Sequence, residues 1–263
     1  MVTFAAEMTA VFRKIWGAYA VVLFLLLMLV LGVPVLLFFM AFMPGEQALR
    51  RSIFYLHHIF TPIFLALIGI RLSIDGQEYL SAERSYVIVS NHASALDFIV
   101  NARAFPGIFQ FLAKEELHRV PVFGWVVKKM CLSVDRSDRA SRARSVALLR
   151  ERLLQGWSIF IYPEGRRNRT AEPLGPFYDG AFRVAIQTQA PIAVQTLVNM
   201  RNICSSAAGL DLHPGTVHII WSPPIETAGM TLDDLPRLRE QVRQVMLAHL
   251  LNTQPARFAI STG

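Results

Sequence analysis

The sequence predicts an α/β fold: a single domain with a mostly parallel central sheet flanked by helices, preceded by an N-terminal two-helix membrane motif. Three observations predict it. Short apolar, β-branched runs alternate with longer stretches whose apolar residues recur every three or four positions, the pattern of strands joined by crossover helices. Residues 15–43 carry no charge, a run longer than the roughly 20 residues that cross hydrocarbon. The 263 residues are 53% hydrophobic and only 17% charged, enough for one sizeable core plus a membrane segment and short of two full domains. The divisions fall at 1–70 (membrane-associated helices), 71–251 (α/β domain) and 252–263 (a loose tail).

Met1–Lys14 reads as an amphipathic lead-in, and Val21–Leu31 is almost wholly aliphatic. The run is too long for a signal-peptide core and lacks a small-residue cleavage site, so it is expected to be retained. Gly32-Val33-Pro34 is expected to kink it. A second apolar segment, Ser52–Ile70, holds His57, His58, Thr61 and Pro62 and is short and polar-spotted for a span. Two arrangements fit: a transmembrane hairpin, or two helices dipping into one leaflet. Pro44–Arg51, with Arg50 and Arg51 against Glu46, is not an obvious translocated loop, which favours the single leaflet. Either way the N-terminus and the basic domain share the cytoplasmic side, at the inner membrane if the source is bacterial. His57 and His58 have no third ligand at metal spacing, so they read as interfacial packing. Cys131 and Cys204 form no CxxC; they imply neither a metal nor a disulfide framework and suit a reducing compartment.

In the domain, Arg71–Gly76 reads as a strand entering a turn, Val87–Ser90 as a buried strand, Leu96–Ala104 as a helix and Phe109–Ala113 as a strand. Leu132–Val134 is a short strand. Ser137 or Asp138 then caps a helix to about Gln155, with Ala140, Ala143, Val146, Leu149 and Leu153 on its buried face. The arginines of that helix, Arg139, Arg142, Arg144, Arg150 and Arg152, read as a solvated face that also suits anionic lipid. Ser158–Tyr162 is a core strand, Phe177–Ile186 a helix, and Ile192–Val198 and Thr216–Trp221 strands. Thr231-Leu232-Asp233-Asp234 is a capping box opening a helix to about Leu251, with an apolar ridge of Leu235, Leu238, Val242, Val245 and Leu250.

The net charge of +7 is carried mostly by arginine, whose planar fork matches phosphate. That points to an anionic membrane surface or phosphorylated small molecules; nucleic acid is disfavoured, because the N-terminus is too apolar and no recognition motif is visible. In parallel sheets, sites lie at the carboxyl ends of strands. His92, Lys114, Arg136 and Glu164 each follow a strand, so one crevice can gather them. His92 with Asp97 suits a base whose tautomer a carboxylate fixes. A histidine capping a helix is the plainer reading of that pair taken alone. The loop Glu164-Gly165-Arg166-Arg167-Asn168-Arg169 reads equally as a phosphate cradle or a solvated basic loop.

Four motifs in order resemble the 1-acylglycerol-3-phosphate acyltransferase family, the glycerolipid acyltransferases with an H-x4-D motif. Asn91-His92-Ala93-Ser94-Ala95-Leu96-Asp97 resembles the first. Lys114-Glu115-Glu116-Leu117 through Pro121, Phe123 and Gly124 to Val134-Asp135-Arg136 is similar to the second. Phe160–Arg167 resembles the third, F-P-E-G-T-R, and Ala190–Val194 the fourth. The resemblance covers about Gly76–Trp221, and the apolar N-terminal pair also resembles a two-helix membrane motif of some members.

What the resemblance implies is acyl transfer from an acyl-thioester, acyl-CoA or acyl carrier protein, to a lysophospholipid hydroxyl. It makes His92 the general base and Asp97 its orienter. It makes Glu164, Gly165 and Arg167 ligands of the acceptor's glycerol phosphate, with Arg166, Lys114 and Arg136 as further candidates. No cofactor or metal is called for, since a thioester is already activated. A backbone N–H near the His92 turn is the candidate oxyanion donor. The chain departs from the family at Arg166, in place of threonine, and at Tyr178-Asp179, where many members place a lysine. Both departures leave the acceptor open to alternatives such as a lyso-ornithine lipid. Rival readings are a hydrolase, for which no G-x-S-x-G elbow is present, a non-catalytic lipid-binding membrane protein, and a transporter subunit. The sequence sets neither the acyl-chain length nor the oligomeric state.

Overall fold

The computed structural model describes residues 2–113, 123–133, 139–205 and 211–252. Lys114 through Val122, Val134 through Asp138 and the tail lie outside the described residues, and with them the expectations placed on Lys114, Arg136 and the Ser137/Asp138 cap. The chain opens with helices α1 (Val2–Leu27) and α2 (Val33–Phe42), joined by a π-helical turn at Met28–Gly32. Helices α3 (Gly45–Tyr55) and α4 (Thr61–Leu67) follow, joined by a second π turn at Leu56–Phe60. Each π turn precedes a proline, Pro34 or Pro62, in the first turn of the next helix. Proline donates no N–H and crowds the carbonyl four residues earlier, and the wider turn relieves both problems. Where a kink is expected, at Gly32-Val33-Pro34, the helix runs on through this π turn.

These helices pack on one another and on the α/β unit. Leu36, Ile53, Phe60 and Phe64 are buried between them, and Phe24 meets Phe60 and Phe64 edge-on at 6.0 and 5.3 Å between ring centroids. Glu46, just past the α2–α3 turn, accepts from Trp157 Nε1 at 2.7 Å and from Arg152 Nη1 at 3.2 Å, and the Arg50 guanidinium covers the Trp157 ring. Towards the other end, Trp16 Nε1 donates to the Ile68 carbonyl at 3.1 Å and Arg13 pairs with Asp211. The helical pair therefore lies along the α/β unit, touching it at both ends. A hairpin crossing the bilayer would put its turn roughly 30 Å away, beyond the hydrocarbon. Most of the large apolar side chains left exposed, from Met8 and Phe12 to Ile63 and Leu67, lie on these helices.

After α4 the chain enters strand β1 (Ile70–Asp75), followed by β2 (Val87–Ser90), α5 (Asp97–Ala104), β3 (Phe109–Ala113), α6 (Phe123–Met130), β4 (Leu132–Ser133), α7 (Arg139–Leu154) and β5 (Ser158–Ile161). Then come α8 (Gly180–Thr188), β6 (Ile192–Leu197), α9 (Met200–Ile203), β7 (Cys204–Ser205), β8 (Asp211–Leu212), β9 (Gly215–Trp221) and α10 (Leu235–Asn252). The main sheet runs β1-β9-β6-β2-β5-β3-β4. Every described pairing in it is parallel except β6 with β9. The central strands β2, β5 and β6 are buried throughout, as β-branched runs covered by helices on both faces should be. One face packs against α4 and α5, through Phe64, Ile99 and Val100. The other packs against α7, α8 and α10, through Leu149, Phe182 and Val242.

The Thr231–Asp234 capping box is present, closing a 3₁₀ turn before α10. Along α10 the ridge buries Leu235, Leu238, Val242, Met246 and Leu250; Met246 takes the core position assigned to Val245, which is half-buried beside it. Helix α5 begins at Asp97, one residue later than the expected start at Leu96. The reason is local: Ser94 Oγ accepts the Leu96 N–H at 3.1 Å and caps a turn that precedes the helix.

Candidate active site

The site forms where β2 ends. Asn91 leaves the strand and continues its pairing with a side chain: its Nδ2 donates to the Leu197 carbonyl at 2.9 Å, and its Oδ1 accepts the Leu197 N–H at 2.8 Å. That pair of hydrogen bonds to the end of β6 fixes where the next residue, His92, emerges. The His92 imidazole Nδ1 lies 2.8 Å from Asp97 Oδ2. The same oxygen accepts the N–H groups of Ala93 at 2.7 Å and Ser94 at 2.8 Å. Asp97 is fully buried, and one of its oxygens takes all three of these donors at the amino end of α5, so the polar group is satisfied where it is buried. The acceptor at Nδ1 assigns the proton to that nitrogen and leaves Nε2 as the lone-pair side. Among the described residues Nε2 has no hydrogen-bond partner, and the imidazole is 21% exposed.

The loop after β5 is tied to the same turn. Glu164 is buried, and its two oxygens take two backbone donors: Oε1 accepts the His92 N–H at 2.7 Å and Oε2 accepts the Gly175 N–H at 2.7 Å. The His92 carbonyl in turn accepts the Asn168 N–H at 2.7 Å. The loop and the histidine turn are thus hydrogen-bonded from both sides of one residue. Gly165 turns the chain at φ +66°, a conformation that L side chains rarely adopt. A Cβ on Gly175 would come within 2.8 Å of Glu164 Oε2, so this contact selects glycine. Burial lifts the Glu164 carboxyl above the ordinary range, against the pull of its two backbone donors, the N–H groups of His92 and Gly175, and of the nearby His92 and Arg201 side chains.

Arg166 and Arg169 on this loop are exposed and Arg167 is half-buried; none of the three forms an ion pair among the described residues. Arg201, from α9, donates to the Thr170 carbonyl at 2.9 Å and lies close enough to Glu164 to act on its charge. Sequence reasoning did not single out Arg201, Asn91 as a clamp, or Tyr162, whose ring stacks on His92. At the departure from the family pattern, Tyr178 is exposed, with its ring against Gly165, and Asp179 pairs with Arg239 of α10. Elsewhere, the His57 ring packs on Phe109 and His58 Nε2 donates to the Gly107 carbonyl at 3.2 Å. Among the described residues, no three His, Cys, Asp or Glu side chains converge as a ligand set.

The turn cannot supply the oxyanion donor expected of it at most of its positions. The N–H groups of His92, Ala93, Ser94 and Leu96 are all committed, to Glu164, Asp97, Asp97 and Ser94. A developing oxyanion needs a donor from elsewhere, or from Ala95 or Asp97.

Comparison with known proteins gives a consistent picture. A family model described as Acyltransferase matches residues 71–197. The chain is 32% identical over 184 residues to 1-acyl-sn-glycerol-3-phosphate acyltransferase alpha of Mus musculus, covering 69% of this chain and 64% of that protein. It is 30% identical over 209 residues to 1-acyl-sn-glycerol-3-phosphate acyltransferase of Saccharomyces cerevisiae, covering 77% and 67%. The chain thus spans just under two thirds of the mammalian relatives and just over two thirds of the yeast one. The crystal structure of the 1-acyl-sn-glycerophosphate (LPA) acyltransferase PlsC from Thermotoga maritima superimposes with a TM-score of 0.74 at 19% identity, over 92% of this chain and 99% of that one, and shares the fold. With the His92–Asp97 pair and the glutamate loop placed at the carboxyl ends of β2 and β5, and with these relatives aligned across them, the chain belongs to the 1-acylglycerol-3-phosphate acyltransferase family.

Proposed function

We propose that this protein transfers an acyl group from an acyl-thioester, acyl-CoA or acyl carrier protein, to the free hydroxyl of a lysophospholipid, with 1-acylglycerol-3-phosphate as acceptor and phosphatidate as product. The observation that carries the reading is the oriented imidazole: Nδ1 held by Asp97 at 2.8 Å, Nε2 unengaged at a strand end. The ordered motifs and the named relatives support it.

In the proposed reaction, His92 Nε2 takes the proton of the acceptor hydroxyl as its oxygen attacks the thioester carbonyl carbon. Asp97 stabilises the imidazolium that forms. When the tetrahedral intermediate collapses, the carbon–sulfur bond breaks and the imidazolium returns its proton to the thiolate. No covalent enzyme intermediate is needed. Arg166 and Arg167, with Gly165 allowing close approach, are proposed to hold the acceptor phosphate, together with Lys114 and Arg136. Glu164, assigned to the acceptor by family resemblance, is proposed to act on it through the loop that it ties to His92. The exposed apolar face of α1–α4 is proposed to lie in one leaflet, with the domain on the cytoplasmic side, so that lysolipid reaches the crevice from the bilayer.

The test is product analysis by lipid mass spectrometry. Purified protein in vesicles is offered several lysolipids and both donor classes, beside a His92→Ala variant that remains membrane-attached. Phosphatidate formed by the wild type and lost by more than about a hundredfold in the variant is the expected result; near-wild-type turnover in His92→Ala removes His92 from the mechanism. Free fatty acid as the main product would mark a hydrolase. The Asp179–Arg239 pair favours a second reading, a lysolipid with another head group, because it puts an acid where many members place a lysine. The same lysolipid panel separates the two.

A further inference from the structure

Asp97 holds the edge of the imidazole, and an edge contact leaves the ring free to tilt about the line joining its two nitrogens. A second contact removes that freedom. The Tyr162 ring lies flat against His92, with centroids 4.0 Å apart and planes 15° from parallel. Tyr162 is itself fixed at its far end, where the hydroxyl accepts Asn101 Nδ2 at 2.9 Å. Asn101 is fully buried and sits on α5 four residues after Asp97, on the same face of the helix. One helical turn therefore carries both supports: the acid at the ring edge, and the amide that sets the plane of the stacking partner. Burial and the Asp97 carboxylate push the Tyr162 phenol well up, so its hydroxyl stays protonated beside the dyad.

We propose that Tyr162 is a positioning residue for the acyl transfer: its ring, anchored by Asn101, holds the His92 imidazole in the plane from which Nε2 meets the acceptor hydroxyl. This rests on the reading of His92 as the general base. The stack also places a π-face on the imidazolium as charge develops. Tyr162 follows β5 directly and precedes Pro163, so its backbone is fixed by the sheet on one side and by proline on the other.

The experiment compares Tyr162→Leu and Tyr162→Phe with wild type and His92→Ala, in vesicles, with kcat and KM measured separately for donor and acceptor. Loss of the platform misplaces the base by a fraction of an ångström to an ångström, so Tyr162→Leu should lower kcat about 30-fold with both KM values within about twofold. Tyr162→Phe keeps the platform and loses only the anchor, so it should recover kcat to within about fivefold of wild type. The proposal is overturned if Tyr162→Leu, melting as a folded protein, keeps kcat within about threefold, if its defect lies wholly in KM, or if Tyr162→Phe is as impaired as Tyr162→Leu. His92→Ala separates the two claims: an inactive His92→Ala beside an active Tyr162→Leu removes the platform and leaves the base, whereas an active His92→Ala removes both.

Discussion

Replacing Asp97 by asparagine removes the charge and keeps the shape. In the native structure a single oxygen, Oδ2, accepts His92 Nδ1 and the N–H groups of Ala93 and Ser94, while Oδ1 is buried with no hydrogen-bond partner. An asparagine whose carbonyl oxygen takes the Oδ2 position retains the backbone bonds and the turn. Its –NH₂ then occupies the Oδ1 position, a buried donor without an acceptor, at a cost of about 1–3 kcal/mol. Against a typical total of 5–15 kcal/mol the variant stays folded with a lowered melting temperature. The catalytic effect is larger, because the imidazolium loses the anion that stabilised it. Isosteric loss of that anion in serine-protease triads lowers kcat about 10⁴-fold; here 10²–10⁴-fold is expected, about 3–5 kcal/mol in the barrier. The assay is thiol release from acyl-CoA with lysophosphatidate in detergent micelles, alongside a thermal melt. A folded Asp97→Asn variant within about threefold of wild type would refute the role given to the pair.

Asn91→Ala deletes two buried bonds to Leu197 and leaves a carbonyl and an N–H at the end of β6 unpaired; a loss of about 2–4 kcal/mol is expected, read as a fall of several degrees in the melting temperature. Glu164 is lifted above the ordinary carboxylate range chiefly by burial, so the folded protein holds that proton to a higher pH than the unfolded chain does. The stability it contributes is therefore greatest below about pH 4.3 and declines as pH rises towards the folded value. Melts of wild type against Glu164→Gln, which does not titrate, should show wild type losing ground as the pH rises above about 4.3; the opposite slope would mean that the backbone donors outweigh burial. Gly45, with open space about its Cα, accepts cysteine at the α2–α3 turn. With Cys131 and Cys204 replaced by serine, a membrane-impermeant maleimide should label Gly45→Cys and Gln241→Cys from the same side of sealed vesicles. Labelling from opposite sides would establish a spanning hairpin.

What was legible in the sequence was local. The helix irregularity before Pro34, the Thr231–Asp234 box and the alternation of buried strands with one-faced helices all depend on neighbours a few residues apart. The boundary error at α5 was also local: a serine caps turns and helices by the same bond, and Ser94 caps a turn. Strands β7 and β8, two residues each, carry no period to read. His92 and Asp97 were visible because they are five residues apart. The rest of the site is not local. Glu164 meets His92 across 72 residues, and Asn91 meets Leu197 across 106. Nothing in the order of residues showed that Glu164 uses both oxygens on backbone N–H groups, that Tyr162 lies on the imidazole, or that the turn's own N–H groups are already committed.

Both peptide groups of His92 are gripped by the arginine loop, its N–H by Glu164 and its carbonyl by Asn168. On the proposed roles, head-group choice and proton transfer share one hinge pin. A graft that imports another member's arginine loop to change the acceptor will also move the base unless the glutamate, the glycine opposite it and the asparagine travel with it. Drift in lipid preference should accordingly show first at Arg166 and Tyr178, which project outward from that hinge, and last at the three residues that close it.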